Sequence, residues 1–350
     1  MVGSGALLGI GASFVWVAQG AIVTTYVPES QRGRAIAIFW IIFNLGGCIG
    51  SLASLASNYN STSGSVSNFT NILLLSIMCA GWLMGISICP PSQVAHLQPT
   101  VQRNNDWRQM ARLTMHIMSD WKVLCMLPLF FTANVFYPYQ QNVVNGQTFT
   151  IRTRSLNGAL YWSAQIFGGL FIGLILDLSG LNRQVRARIG WILLFVSGFI
   201  IWGGGYAFQK WSSENSAQLE LKQYIDFSHG RRYVGPMFLY VFYGMYDAFW
   251  QSFCYWLIGT RSNSPKITAI LVGAYKMFQS IGGAMSWRLN AMCKPAMTQF
   301  AMNWGLCIGA LVIAIPSVLA VTLTSKEDVY EAENVDEHEV GGKSSETDES

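Results

Sequence analysis

The chain has 350 residues, of which 51% are hydrophobic, 13% aromatic and only 11% charged, with a formal net charge of +4. A soluble domain carries about 25% charged residues, so this composition argues against a water-soluble enzyme or binding module. Ten of the eighteen acids fall in the last 25 residues, leaving eight acids against twenty Lys and Arg in the body, where the charges sit in short loops between apolar stretches; that placement sets membrane topology and gives no reason to expect a nucleic-acid partner.

Nine apolar stretches read as membrane-spanning helices: 3–26, 35–57, 71–90, 122–140, 156–177, 189–208, 234–258, 267–287 and 300–323. Each approaches the roughly 20 residues that a helix needs to cross a hydrocarbon core of about 30 Å. The expected fold class is therefore all-α, a polytopic transmembrane helix bundle. Met1-Val2-Gly3 enters the first span with no basic segment or cleavage site, which is no signal peptide; the chain reads as though an earlier part were missing. The turn from Pro28 to Arg34 carries Arg32 and Arg34, which places it on the cytoplasmic side.

The alternating loops follow from that assignment. Those on the cytoplasmic side hold ten Lys and Arg against eight on the other, so the sequons supply the stronger marker. Asn60-Ser61-Thr62 and Asn68-Phe69-Thr70 share the loop 58–70, which has no Lys or Arg, and both asparagines are glycosylation candidates on the external side. The segment 91–121 is the longest cytoplasmic loop; in its second half Trp107, Met110, Leu113 and Ile117 fall on one helical face, the pattern of a helix lying on headgroups. After residue 323 the acidic tail has too little apolar surface to fold and is expected to be disordered and cytoplasmic.

Chemistry-bearing residues are few. The seven cysteines form no C-x-x-C and the four histidines are isolated, so neither a metal site, a cofactor nor an enzyme activity is expected. Ionisable side chains inside spans are costly and serve as functional hypotheses. Asp247 is the acid deep in a span, with Tyr243 and Gln251 one turn to either side; Lys276 is the deep base of the next span, flanked by Tyr275 and Gln279. Asp247 and Lys276 read as an intramembrane pair, either working on a cavity or fixing helix packing. Gln19, Asn44, Asn134, Gln165 and Asn303 are further polar residues in spans, Gln19 and Asn44 being the next cavity candidates. Gly46-x-x-x-Gly50 and Gly169-x-x-x-Gly173 have the spacing of close-packing helix faces.

A more specific pattern closes the fifth stretch: Gly173, Asp177, Gly180 and Arg183 form G-x-x-x-D-x-x-G-x-x-R. A glycine four residues before an acid lets helices approach, and the acid can pair with a cation across the gap. This run resembles the conformational loop signature of the major facilitator superfamily, although Leu178 stands where the family has a basic residue. With it, W-V-A-Q-G-A-I at 16–22, P-E-S-Q-R-G-R at 28–34 and F-W-I-I-F-N-L-G-G at 39–47 resemble the fungal Unc-ninety-three-like branch of that superfamily. The resemblance implies a bundle of about twelve spans, of which these nine would be the fourth to twelfth. Residues 1–90 would then finish the first half, 91–121 would be the linker, 122–323 the six-span second half and 324–350 the tail. It also implies two functions to separate: secondary transport of a small solute or ion, proton coupling included, or regulation and escort of a membrane-protein partner.

Overall fold

The structure, a computed structural model, describes residues 2–25, 32–60, 68–88, 107–178, 180–218, 224–262 and 265–322. The first turn, sequon residues 61–67, the first half of the long loop, the acidic tail and the side chain of Gln19 lie outside the described set.

Helices stand at all nine expected positions. They are α1 (Val2–Thr25), α2 (Arg32–Ser57), α3 (Asn68–Gly85), α7 (Ile151–Leu176), α8 (Arg183–Gln218), α9 (Arg231–Gly259), α10 (Pro265–Ala291), a final pair α11 (Ala296–Ile313) and α12 (Ile315–Leu319), and the interrupted segment described next. Five stretches among the described residues are long and apolar enough by themselves to cross a membrane: 38–57, 68–85, 151–176, 183–214 and 296–319. The helices α9 and α10 fall short of that apolarity because their inward faces carry tyrosines, amides, Asp247 and Lys276 rather than aliphatic side chains.

One span is not a single helix. The stretch expected at 122–140 is built from α5 (Trp121–Leu124), α6 (Leu127–Thr132), turns at 133–136 and a π-helical segment Tyr139–Gly146. Pro128 and Pro138 each remove a backbone donor, and the segment runs beyond residue 140 because the polar YQQNVVNG stretch stays helical. Carbonyls freed in an apolar bundle must find other donors. Here they do: the Trp250 indole donates to the Leu129 carbonyl at 3.0 Å, Gln251 to that of Ala133 at 3.2 Å and the Ser286 hydroxyl to that of Val135 at 2.5 Å. Just before it, α4 (Trp107–Ser119) forms where the amphipathic pattern is expected; Ile117 is buried and Leu113 packs on the core, while Trp107 is 72% exposed.

Close packing uses glycines one position away from those the spacing singled out. A Cβ at Gly169, Gly173 or Gly46 would meet nothing within 4 Å, and at Gly50 only Leu74 at 3.9 Å. The tight positions are Gly168, where it would lie 3.0 Å from the Met245 carbonyl oxygen, and Gly47, where it would fall 2.6 Å from the Trp162 ring. The small-residue spacing marks a face with little against it among the described residues, and the neighbouring glycine carries the contact. The seam between α2 and α7 continues downward: Gly158 sits against Ser51, the Ser54 and Ser155 hydroxyls bond at 2.9 Å, and Cys48 meets Ser163 at 3.4 Å.

Between α7 and α9 the tightest point is Gly244, whose added Cβ would lie 2.6 Å from the Tyr161 carbonyl oxygen. That atom is backbone and cannot swing aside. Gly244→Ala is expected to cost about 1–3 kcal/mol, as overpacked cores do, whereas Gly173→Ala should be neutral or stabilising because alanine is the better helix former. Thermal unfolding of both variants in detergent checks the contrast.

Candidate functional site

The interrupted segment presents its side chains to Asp247, which is fully buried on α9. One carboxylate oxygen, Oδ2, accepts a short hydrogen bond from the Tyr137 hydroxyl, a bond of 2.7 Å from the Gln165 amide and one of 3.3 Å from the Tyr161 hydroxyl. The other, Oδ1, accepts from the Gln251 amide at 3.3 Å. Donors thus converge on the acid from the interrupted segment, α7 and α9. A buried carboxylate is held in place when its lone pairs are filled by donors. Gln165 was legible as a polar residue in a span; Tyr137 and Tyr161 were not, because tyrosine in an aromatic-rich bundle carries no signal of its own.

Lys276 does not touch Asp247. Among the described residues no carboxylate lies within ion-pair distance of its ammonium, so the direct pair expected from sequence is corrected to a relay. The Lys276 ammonium donates to Gln279 Oε1 at 2.9 Å; the Gln279 amide donates to Gln251 Oε1 at 3.0 Å and to Asn134 Oδ1 at 3.1 Å. Gln251, which also accepts a short bond from Tyr275, then donates to the acid. The physical reason is helical phase: Gln251 and Gln279 each lie one turn from their charged neighbour and fill the space between.

The ammonium is instead sheltered by aromatic faces. It lies 4.6 Å from the Trp16 ring centre, 5.7 Å from Trp40, 5.4 Å from Tyr255 and 5.0 Å from Tyr275. Each desolvated cation–π contact is worth up to about 2 kcal/mol. Trp16 and Trp40 belong to α1 and α2, so this one lysine ties the first helices to α9 and α10. Close access of α10 to the broken segment comes from Gly282 and Gly283, where an added Cβ would strike the Phe131 carbonyl and approach Asn134 Cβ at 3.4 Å.

Other expected residues are placed differently. Tyr243 does not join Asp247: its ring packs against Trp202 and its buried hydroxyl has no partner among the described residues. Four residues of helix turn about 400°, so a stripe at that spacing drifts. Asn44 is buried near Trp40 and donates back to the Trp40 carbonyl at 2.9 Å, outside the Asp247 network. Asn60 is exposed just after α2, and Asn68 is the exposed first residue of α3.

The loop motif also acts differently from its expectation. Asp177 is exposed and caps α7 through its backbone, donating to the Gly173 carbonyl at 3.0 Å, and Gly173 makes no close approach. The following arginines carry the contacts: Arg183 donates to the Gly259 carbonyl at 2.9 Å at the end of α9, and Arg186 to the Leu176 carbonyl at 2.9 Å at the end of α7. Cations there satisfy terminal carbonyls and complement the helix dipoles. Gly180 is exposed beside this turn. No group of three His, Cys, Asp or Glu able to hold a metal occurs among the described residues.

At the opposite end a second charge constellation joins α2 to α7. Arg152 makes a two-pronged pair with Asp226 at 2.7 and 2.8 Å and donates to the Tyr59 carbonyl at 3.1 Å. Thr150 adds a bond of 2.7 Å to the carboxylate and Ser228 two more at 2.8 and 3.0 Å. Burial pushes Asp226 up, but the bonds from Arg152, Thr150 and Ser228 outweigh it and hold the acid below the usual carboxylate range. A depressed acid stabilises the fold above its unfolded-state value near 4, and that contribution is lost as pH falls below it. Arg152→Ala is expected to cost about 1.5 kcal/mol at pH 7, with the gap from wild type closing at acid pH below about 4. Unfolding curves of both proteins between pH 3 and 7 check this.

Residues 1–286 match the family model described as Major Facilitator Superfamily. An UNC93-like protein of Schizosaccharomyces pombe is 40% identical over 319 residues, covering 90% of this chain and 63% of that protein. UNC93-like protein 1 of Arabidopsis thaliana is 37% identical over 316 residues, covering 87% of this chain and 66% of its own length. The chain therefore spans a little under two thirds of the curated relatives it matches. No solved structure matches it.

Proposed function

We propose that this chain, which belongs to the major facilitator superfamily, takes part in secondary transport of a small solute or ion, with Asp247 as the group that takes up and gives off the coupling proton. The observation that carries this reading is a buried carboxylate on α9 packed against an interrupted helix, with hydrogen-bond donors converging on it. Discontinuous helices near the bilayer midplane are where transporters of several folds build their sites. A proton arriving on Asp247 removes the need for donors on that oxygen, so Tyr137, Tyr161 and Gln165 are free to rearrange. The relay through Gln251 and Gln279 carries that rearrangement to Lys276, whose aromatic shelter reaches into α1 and α2.

In this reading residues 1–90 and 122–323 belong to the two rocking halves, 91–121 joins them and the acidic tail hangs in the cytoplasm. Asn60 then faces outward, and Asn60→Gln is expected to remove an endoglycosidase-sensitive mass. Tyr243, Gln19 and Asn44 stay as cavity-lining candidates outside the relay of Gln251 and Lys276.

A second reading, a non-transporting regulator or escort of another membrane protein, draws on one observation. A furrow of about 630 Å³ between α1 and α2, lined by Leu7, Val15, Phe39 and Phe43 among others, offers an apolar face to a partner helix. That reading makes no use of the buried acid.

Asp247→Asn separates the two. It keeps the side chain's size and leaves an oxygen to accept, so the protein should reach the membrane in normal amount. Proton movement in dye-loaded proteoliposomes offered a panel of small solutes is expected to fall to background. Unchanged flux in the variant would remove Asp247 from the mechanism.

A further inference from the structure

A groove of about 810 Å³ runs between α8 and α9 with α7 at its inner end, on the outer surface of the bundle and away from the Asp247 network. Its floor is opened by missing side chains: Gly204 on α8 and Gly235 on α9 both line it. Its walls are apolar and open, with Ile200 69%, Phe238 51% and Phe171 51% exposed. From Arg231 to Phe249 the helix rises about 27 Å, close to the hydrocarbon depth of a bilayer. Among the described residues nothing covers the slot.

Its head end is different. Arg231 and Arg232 both line the mouth and are exposed. Neither forms an ion pair with a carboxylate among the described residues, Glu214 on α8 included. Two guanidiniums that meet no carboxylate among the described residues, opening onto an apolar slot at the external end of the bundle, complement a ligand with a negative phosphate and long hydrocarbon tails. A zwitterionic lipid brings its own ammonium and gains less from them.

We propose that this groove is a binding site for an anionic phospholipid, with Arg231 and Arg232 on the headgroup phosphate and a tail along Gly204, Leu239 and Phe242. The site lies on the back of the helix that carries Asp247: Met245 and Phe249, two residues to either side of the acid, line its inner end. A bound tail therefore packs against α9 from the lipid side. The proposal does not depend on whether the chain transports.

The test is competitive retention of lipid. Purified full chain in mixed micelles with equal phosphatidylglycerol and phosphatidylcholine is examined by native mass spectrometry. Wild type is expected to keep one phosphatidylglycerol in preference. Arg231→Gln combined with Arg232→Gln should weaken that retention roughly thirtyfold, from about 1 kcal/mol for each headgroup hydrogen bond lost, and leave phosphatidylcholine unchanged. Gly204→Phe, whose Cβ would meet only Leu239 at 3.8 Å, should fill the floor and abolish the retained lipid of either class. Equal retention of both lipids by wild type, or undiminished phosphatidylglycerol in the double variant, overturns the proposal. Should the double variant not fold, persistence of the lipid in Gly204→Phe overturns it alone.

Discussion

An apolar bundle cannot leave a backbone carbonyl without a donor, and the interrupted segment 121–146 is where this chain meets that constraint most sharply. Two prolines break the helix, and three carbonyls exposed along it are taken up by an indole, an amide and a hydroxyl from α9 and α10. Those three donors fix the register of both helices against the break. Once Trp250 and Gln251 are held there, Asp247 has a defined direction, one turn earlier on the same helix, and Tyr137 emerges from the break to meet it. The glycines at 282 and 283 are the complementary requirement, since any side chain there would hold α10 away from the turn. A backbone irregularity and a buried acid are thus one structure.

The separation of Asp247 from Lys276 follows from the same economy of contacts. Buried charges brought into direct contact gain Coulomb energy but lose hydration that the contact alone seldom restores. Here each charge keeps its own solvating shell, hydroxyls and amides for the carboxylate and aromatic faces for the ammonium. Two glutamine side chains stand between them, each donating and accepting. An amide can reverse that polarity by a half-turn of its terminal torsion, which a direct ion pair cannot do without breaking.

Much of this was legible in the sequence. Apolarity and length placed every span, because a bilayer leaves helices no alternative, and the rarity of charge inside spans singled out Asp247 and Lys276 at once. The W-V-A-Q-G and F-W-I-I-F-N stretches marked the family, and two of their tryptophans, Trp16 and Trp40, turn out to cover the lysine; nothing in their spacing gave that away, because the contact joins residues more than 230 apart in the chain. Pro138 and Asn134 inside a span were the available signal for the break. The glycine spacing failed by one position because it reports which faces are small and not which face a neighbour occupies. Tyr243 was misplaced for a related reason, a four-residue repeat being slightly longer than a helical turn.

The seam between α2 and α7 has a mechanical meaning. Trp162 over Gly47, Ser51 in the notch at Gly158 and the bonded Ser54–Ser155 pair alternate like meshed teeth along two rods. Sliding one rod lengthwise would drive each tooth into the next, while rolling one over the other keeps successive teeth engaged. Of the six rigid-body freedoms between two helices, axial translation is therefore locked, and rotation about the contact line is the compliant one.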